Sequence, residues 1–188
     1  AEAKPSNLNV PNLLTTLRIV LVPFFGWALL VDGGENAAWR AIAYLIFAVA
    51  MVTDKIDGDL ARKHGLVTDF GKIADPIADK ALTGTALVGL SWLGDLPWWV
   101  TVVILVREIG VTLLRFSVIR HGVIPASRGG KAKTVAQVVA ITAYLLPLPD
   151  VLVPVRVALM VVAVVLTVVT GVDYCVRAYR LRRDSKAA

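Results

Sequence analysis

The chain has 188 residues, 57% of them hydrophobic and 18% charged, with a mean hydropathy of +0.71. A soluble domain runs about 45–50% apolar and about 25% charged, so aqueous globular, disordered and disulfide-scaffold classes all fit poorly. The formal charge of +6 reads as membrane orientation with no nucleic-acid partner, and the lone Cys175 has no internal disulfide partner.

In chain order, the opening segment AEAKPSNLNVPN carries no basic-then-apolar signal and no small-residue cleavage site, so the first apolar run is expected to act as a permanent span. Six apolar stretches follow, at 13–31, 39–53, 73–93, 98–119, 134–146 and 151–176. A bilayer core needs about 20 helical residues. The second stretch is short and is expected to continue as helix through Asp54–Arg62. The fifth is ended by Pro147 and Pro149. The runs lack the period-two alternation of a barrel, and only helices or closed barrels satisfy backbone groups in lipid. The expected fold is all-α: one integral-membrane domain over residues 1–188, a polytopic bundle of six transmembrane helices.

Basic residues set the orientation. Segments 32–40, 91–97 and 147–156 hold only Arg40 and Arg156 of the twenty Lys and Arg residues. Both termini are therefore expected on the cytoplasmic side. The tail RAYRLRRDSK adds an anchor for anionic membrane lipids.

Ionisable groups at membrane depth are costly and usually functional. The segment DKIDGDLARKHGLVTDFGKIADPIADK places Asp54 and Asp57 three apart, on one helix face. Asp75 and Asp79, four apart, share a face of the next helix. Four converging carboxylates need a cationic partner. With no Cys or His beside them, they suit hard ions, Mg²⁺ or Mn²⁺. Four carboxylates hold two such ions, and paired metals clamp a phosphoryl group in transfer. Gly58 and Ala61 remove volume where a ligand would approach, Arg62 offers a fork for phosphate oxygens, Thr68 adds a hydroxyl, and Gly71 is expected to permit a bend. Asp59 and Asp69 fall off the shared faces and read as solvated cap residues, while His64 and His121 have no metal-ligand spacing.

The fourth stretch carries Arg107, Glu108 and Arg115, and the loop after it, HGVIPASRGGKAKTVAQ, carries Lys131, Lys133 and Thr134. Gly129 and Gly130 are expected to loosen this loop. A basic cluster of this kind suits an anionic acceptor such as a phosphate; the plainer reading pairs Arg107 with Glu108 and leaves the rest as orientation charge.

The pattern Asp54-x₂-Asp57-Gly58-x₂-Ala61-Arg62-x₈-Gly71-x₃-Asp75-x₃-Asp79 resembles the signature of the CDP-alcohol phosphatidyltransferases. The segments REIGVTLLR, ASRGGKAKTVAQ and NVPNLLTTLRIVLVPFF, the last with Asn12, Thr15 and Arg18, look like the phosphatidylglycerophosphate synthase branch. The likeness covers the first five helices. It implies a six-helix CDP-alcohol phosphotransferase fold, a homodimer, and a metal site at the cytoplasmic face of a bacterial plasma membrane. It also implies transfer of a phosphatidyl group from CDP-diacylglycerol to sn-glycerol 3-phosphate, releasing CMP. By that likeness Asp54, Asp57, Asp75 and Asp79 hold metal, and Asp79 is also the catalytic base. Asn12, Thr15, Gly58, Ala61, Arg62 and Thr68 would bind the CDP-lipid. Arg107, Arg115, Lys131, Lys133 and Thr134 would bind the acceptor phosphate. Other acceptors, an inositol phosphate or a phosphatidyl lipid for cardiolipin, stay open within the family. From another class, a cation transporter would spread its acids along the membrane normal, whereas these gather at one level.

Overall fold

The computed structural model describes residues 9–64, 68–118 and 128–187; the side chains of 57–62, 64, 69–70, 72, 128 and 184–187 lie outside that description. Among the described residues the chain is all-helical: α1 (Val10–Leu30), α2 (Ala37–His64), α3 (Asp69–Trp92), α4 (Trp98–Val118), α5 (Arg128–Leu145) and α6 (Val153–Ala187), with short 3-10 turns at Val31–Gly34 and Asp150–Leu152. The helices form two compact units. One comprises Ala1–Gly94 with Leu145–Pro147, the other Asp95–Tyr144 with Leu148–Ala188.

In the first unit α1 packs against both α2 and α3, while α2 and α3 touch each other sparingly. The α1–α2 seam includes the Phe25 and Phe47 rings, 5.8 Å apart. Along α1–α3 small residues permit close approach: a Cβ on Gly89 would fall 2.6 Å from Leu29 Cδ2, and one on Gly26 would fall 3.1 Å from Thr85 Cγ2. Thr68 caps α3 at its start by accepting from the Gly71 amide at 3.0 Å. Gly94, at φ +81°, follows the other end, where its amide donates to the Ser91 carbonyl. In the second unit α4 packs on α6, and Gln137 of α5 donates to Thr167 of α6 at 2.8 Å.

α2 runs unbroken through the acidic segment, as the sequence pattern requires. Two glycine expectations are corrected. Gly71 lies inside the first turn of α3 and makes no bend; Gly129 and Gly130 are helical, in the first turn of α5, and form no loop. Glycine permits irregular backbone without imposing it, and at a helix start the following residues decide.

Three segments are long and apolar enough to cross a membrane: Val10–Gly34, Ala37–Ile56 and Asp150–Arg183. Their apolar side chains are largely uncovered, with 28%, 22% and 17% of the most apolar stretch of each buried. That much exposed hydrocarbon is unstable in water and marks a membrane protein. The other three helices interrupt their apolar runs with ionisable residues: Asp75, Asp79 and Lys80 on α3, Arg107, Glu108 and Arg115 on α4, Lys131 and Lys133 on α5. At 35 residues α6 is about 52 Å long, well beyond a hydrocarbon core of about 30 Å. Its last turns carry the basic tail.

Candidate functional site

The acidic motif is held from α1. Asn9 caps that helix, accepting from the Asn12 amide at 2.9 Å, and Pro11 fits the first turn because its missing N–H has no helical partner there. Three buried polar residues then follow at three-residue intervals on a mostly apolar helix: Asn12, Thr15 and Arg18 are 5%, 1% and 0% exposed.

Each reaches a different part of the motif. Asn12 Nδ2 donates to Thr68 Oγ1 at 2.8 Å, and Thr68 Oγ1 donates back to Asn12 Oδ1 at 3.0 Å. With the Gly71 amide also donating to it, the Thr68 hydroxyl has its proton and both lone pairs engaged. The Thr15 hydroxyl meets Asp75 Oδ1 and also lies 3.1 Å from the Pro11 carbonyl. Arg18 Nη1 pairs with Asp54 Oδ1, joining a fully buried guanidinium to a carboxylate whose side chain is 41% exposed. Gly71 makes the approach possible: a Cβ there would fall 3.0 Å from Asn12 Oδ1, 3.4 Å from Thr68 Oγ1 and 3.9 Å from Asp75 Oδ2.

Asp54 and Asp57 thus lie on α2, and Asp75 and Asp79 on α3. Asp75 and Asp79 are both partly exposed. The Asp57, Gly58, Ala61 and Arg62 side chains lie outside the described residues, as do Asp59, Asp69, His64 and His121. Among the described residues no three acidic, histidine or cysteine side chains form a metal-holding group. The donor chemistry of the motif fits a hard divalent cation, because its candidate donor atoms are carboxylate oxygens with no sulfur or imidazole among them.

The second unit holds its own polar cluster. Glu108 Oε1 accepts from Arg107 Nη1 at 3.1 Å and from Lys133 Nζ. Arg107 Nη2 also donates to Thr170 of α6 at 3.0 Å. The arginine lies flush on α6 because residue 171 is glycine: a Cβ there would fall 3.0 Å from Arg107 Cγ. Arg107 Nε is buried with no hydrogen-bond partner among the described residues. Lys133 is 5% exposed. Of the other basic-cluster residues, Arg115 is exposed and sits 5.9 Å from the Tyr174 ring centroid. Lys131 and Thr134 are exposed, and Thr134 Oγ1 donates back to the Gly130 carbonyl at 3.1 Å. Arg107 and Lys133 are therefore brought together on one carboxylate, and Arg115 has a different neighbour.

Sequence reasoning gave Asn12 and Thr15 of α1 to the CDP-lipid and missed the links from Arg18 to Asp54 and from Thr15 to Asp75. The available signal was the Asn12–Thr15–Arg18 spacing itself, a polar stripe ending in an arginine within an apolar helix.

A family model described as CDP-alcohol phosphatidyltransferase matches residues 8–169. A Mycobacterium tuberculosis protein named probable phosphatidylglycerophosphate synthase is 58% identical over 172 residues, covering 92% of this chain and 82% of that protein. The Bacillus subtilis CDP-diacylglycerol–glycerol-3-phosphate 3-phosphatidyltransferase is 40% identical, covering 88% of this chain and 93% of that protein. A cardiolipin synthase (CMP-forming) of Streptomyces coelicolor is 36% identical over 132 residues, 68% of this chain and 60% of that protein.

Proposed function

The chain belongs to the CDP-alcohol phosphatidyltransferase family, and we propose that it transfers the phosphatidyl group of CDP-diacylglycerol to sn-glycerol 3-phosphate, giving phosphatidylglycerophosphate and CMP. The observation that carries this reading is the acidic motif on α2 and α3 with its buried partners on α1. The 58% and 40% identical relatives, named for this acceptor or its product, favour glycerol 3-phosphate. The cardiolipin synthase matches less of the chain at lower identity.

Family members generally use a divalent metal. In this chain Asp54, Asp57, Asp75 and Asp79 would hold it, as two Mg²⁺ or Mn²⁺ ions. When bound, the ions supply positive charge to the diphosphate and to the CMP leaving group. Asp79 takes the proton from the acceptor hydroxyl as that oxygen attacks the lipid-side phosphorus in line. Arg62 engages phosphate oxygens of the CDP-lipid, and Gly58 and Ala61 leave room for its approach. Arg107 and Lys133, with Arg115, Lys131 and Thr134, bind the acceptor's phosphate. Glu108 holds the first two in place and leaves the trio at a net single positive charge. The enzyme's contribution is positioning and charge, the two terms that dominate phosphoryl transfer.

The protein is proposed to work as a homodimer and to cross a bacterial plasma membrane six times, with termini and acidic motif cytoplasmic. The basic residues are what support this orientation; the five tryptophans, Trp27, Trp39, Trp92, Trp98 and Trp99, lie within four residues of helix ends, which suits a membrane interface on either side. A cytoplasmic site also suits the substrates, because acyl chains stay in lipid while the CDP group and glycerol phosphate are reached from water.

The test is CMP release by detergent-solubilised protein given CDP-diacylglycerol with each acceptor separately: sn-glycerol 3-phosphate, an inositol phosphate and phosphatidylglycerol. Release with glycerol 3-phosphate is expected. Release with either other acceptor and none with glycerol 3-phosphate overturns the assignment.

A further inference from the structure

We propose that Thr15 and Arg18 are positioning residues that set the carboxylates of Asp75 and Asp54 for metal, so that α1 serves as the strut of the acidic motif. This rests on the reading of the motif as a metal site.

The argument begins with packing. α2 and α3 carry the acidic residues but touch each other sparingly, whereas α1 packs on both. The mutual placement of an α2 carboxylate and an α3 carboxylate therefore passes through α1. The side chains that α1 sends to them are polar and almost wholly buried, an arrangement apolar packing alone does not require. An arginine with 0% exposure in a membrane helix is costly unless its partner is fixed. Arg18 finds its partner 36 residues away, on Asp54.

Thr15 makes the same kind of link to α3. A threonine hydroxyl in a helix usually bonds back to the carbonyl four residues earlier. The Pro11 carbonyl is available at 3.1 Å, yet the hydroxyl also meets Asp75 Oδ1, 60 residues away. Asn12 completes the strut by bonding Thr68 at the first turn of α3, and Gly71 gives it the space. Groups that hydrogen-bond a metal ligand fix its orientation, and losing one typically costs metal affinity about 10–100-fold.

Direct CDP-lipid contact by Thr15 makes a different prediction, so the two roles separate experimentally. The full chain in detergent is titrated with Mn²⁺ alone, without substrate, and bound metal is read by electron paramagnetic resonance. Thr15→Val keeps the side-chain shape and removes the hydroxyl; Thr15→Ser keeps the hydroxyl. The valine variant is expected to bind Mn²⁺ about 10–100-fold more weakly. The serine variant should bind within about threefold of wild type, a small fraction of that loss. At saturating Mn²⁺ the KM for CDP-diacylglycerol should be nearly unchanged in both. Arg18→Lys, which keeps the charge and loses the fork, should weaken Mn²⁺ binding in the same direction.

Wild-type Mn²⁺ affinity in Thr15→Val overturns the proposal, and a raised CDP-diacylglycerol KM beside it restores direct contact. A loss that serine fails to restore, or a valine variant that loses its fold, assigns Thr15 to packing and also overturns it. If the wild-type chain binds no Mn²⁺, the metal reading itself falls and takes this proposal with it. Wild-type binding with unaltered variants removes this proposal alone.

Discussion

Replacing Glu108 by alanine should damage the second unit more than removing either cation it serves. One carboxylate oxygen accepts from both Arg107 and Lys133, and the side chains of all three are at most 15% exposed. Lys133→Met leaves Glu108 with Arg107 still at 3.1 Å, so the loss is one charge-assisted hydrogen bond, about 1.5–3 kcal/mol. Glu108→Ala instead takes the shared anion from two cations at once, while Arg107 keeps its bond to Thr170. Breaking a buried pair by removing one partner costs about 3–5 kcal/mol. At roughly 2–4 °C per kcal/mol for a chain of this size, that is a fall of about 6–20 °C in Tm. Thermal unfolding of the detergent-solubilised protein, followed by tryptophan fluorescence, measures it. The double variant should lose less than the sum of the two single losses, because methionine removes one of the charges that had lost the shared anion. A Glu108→Ala chain as stable as Lys133→Met would refute the shared-carboxylate reasoning.

Three further outcomes are expected. Chelator should abolish CMP release, and added Mg²⁺ or Mn²⁺ should restore it; full activity in metal-free enzyme removes the metal assignment. Asp79→Asn should lower turnover by about 10²–10⁴-fold while CDP-diacylglycerol binding largely persists, since an amide keeps one oxygen ligand but takes no proton. Near-normal turnover in single-turnover kinetics would take Asp79 out of that role. Gly171→Ala should raise the KM for glycerol 3-phosphate with little change for CDP-diacylglycerol, because the new Cβ would meet Arg107 Cγ at 3.0 Å and displace the guanidinium. Alanine in a helix otherwise stabilises by about 0.8–1.0 kcal/mol over glycine, so a more stable variant with unchanged acceptor kinetics would sever Arg107 from acceptor binding.

The helices and the acidic motif were legible because both rest on local periodicity. Each apolar run lay within one of the six helices or nearly so, but α5 begins six residues before its run at 134 and α6 continues eleven residues past its run at 176. The spacing of Asp54 with Asp57, and of Asp75 with Asp79, needs only 3.6 residues per turn to place each pair on one face. Where propensity was read without packing, it misled. Gly71 looks like a bend in sequence, yet its missing Cβ serves to admit Asn12 beside the first turn of α3. Gly129 and Gly130 look like a loop and instead open α5.

What stayed hidden depends on contacts between distant residues. Nothing local to Arg18 says that its guanidinium meets Asp54, and nothing local to Glu108 says that Lys133, 25 residues on, shares it with Arg107. The two cases bear differently on function. In the second unit the pairing lowers the net charge of a cluster that composition alone presents as strongly basic. On the proposed reading, its selectivity for a phosphate would depend on the geometry of Arg107 and Lys133 around Glu108 more than on the number of lysines and arginines. In the first unit the pairing brings a positive charge into an acidic motif whose sequence shows only its carboxylates. Arg18 offsets part of the repulsion among them whether or not metal is present. If the motif is the metal site as proposed, this buttressing would preorganise it, and preorganisation is the form of catalysis available to a site that works by position and charge.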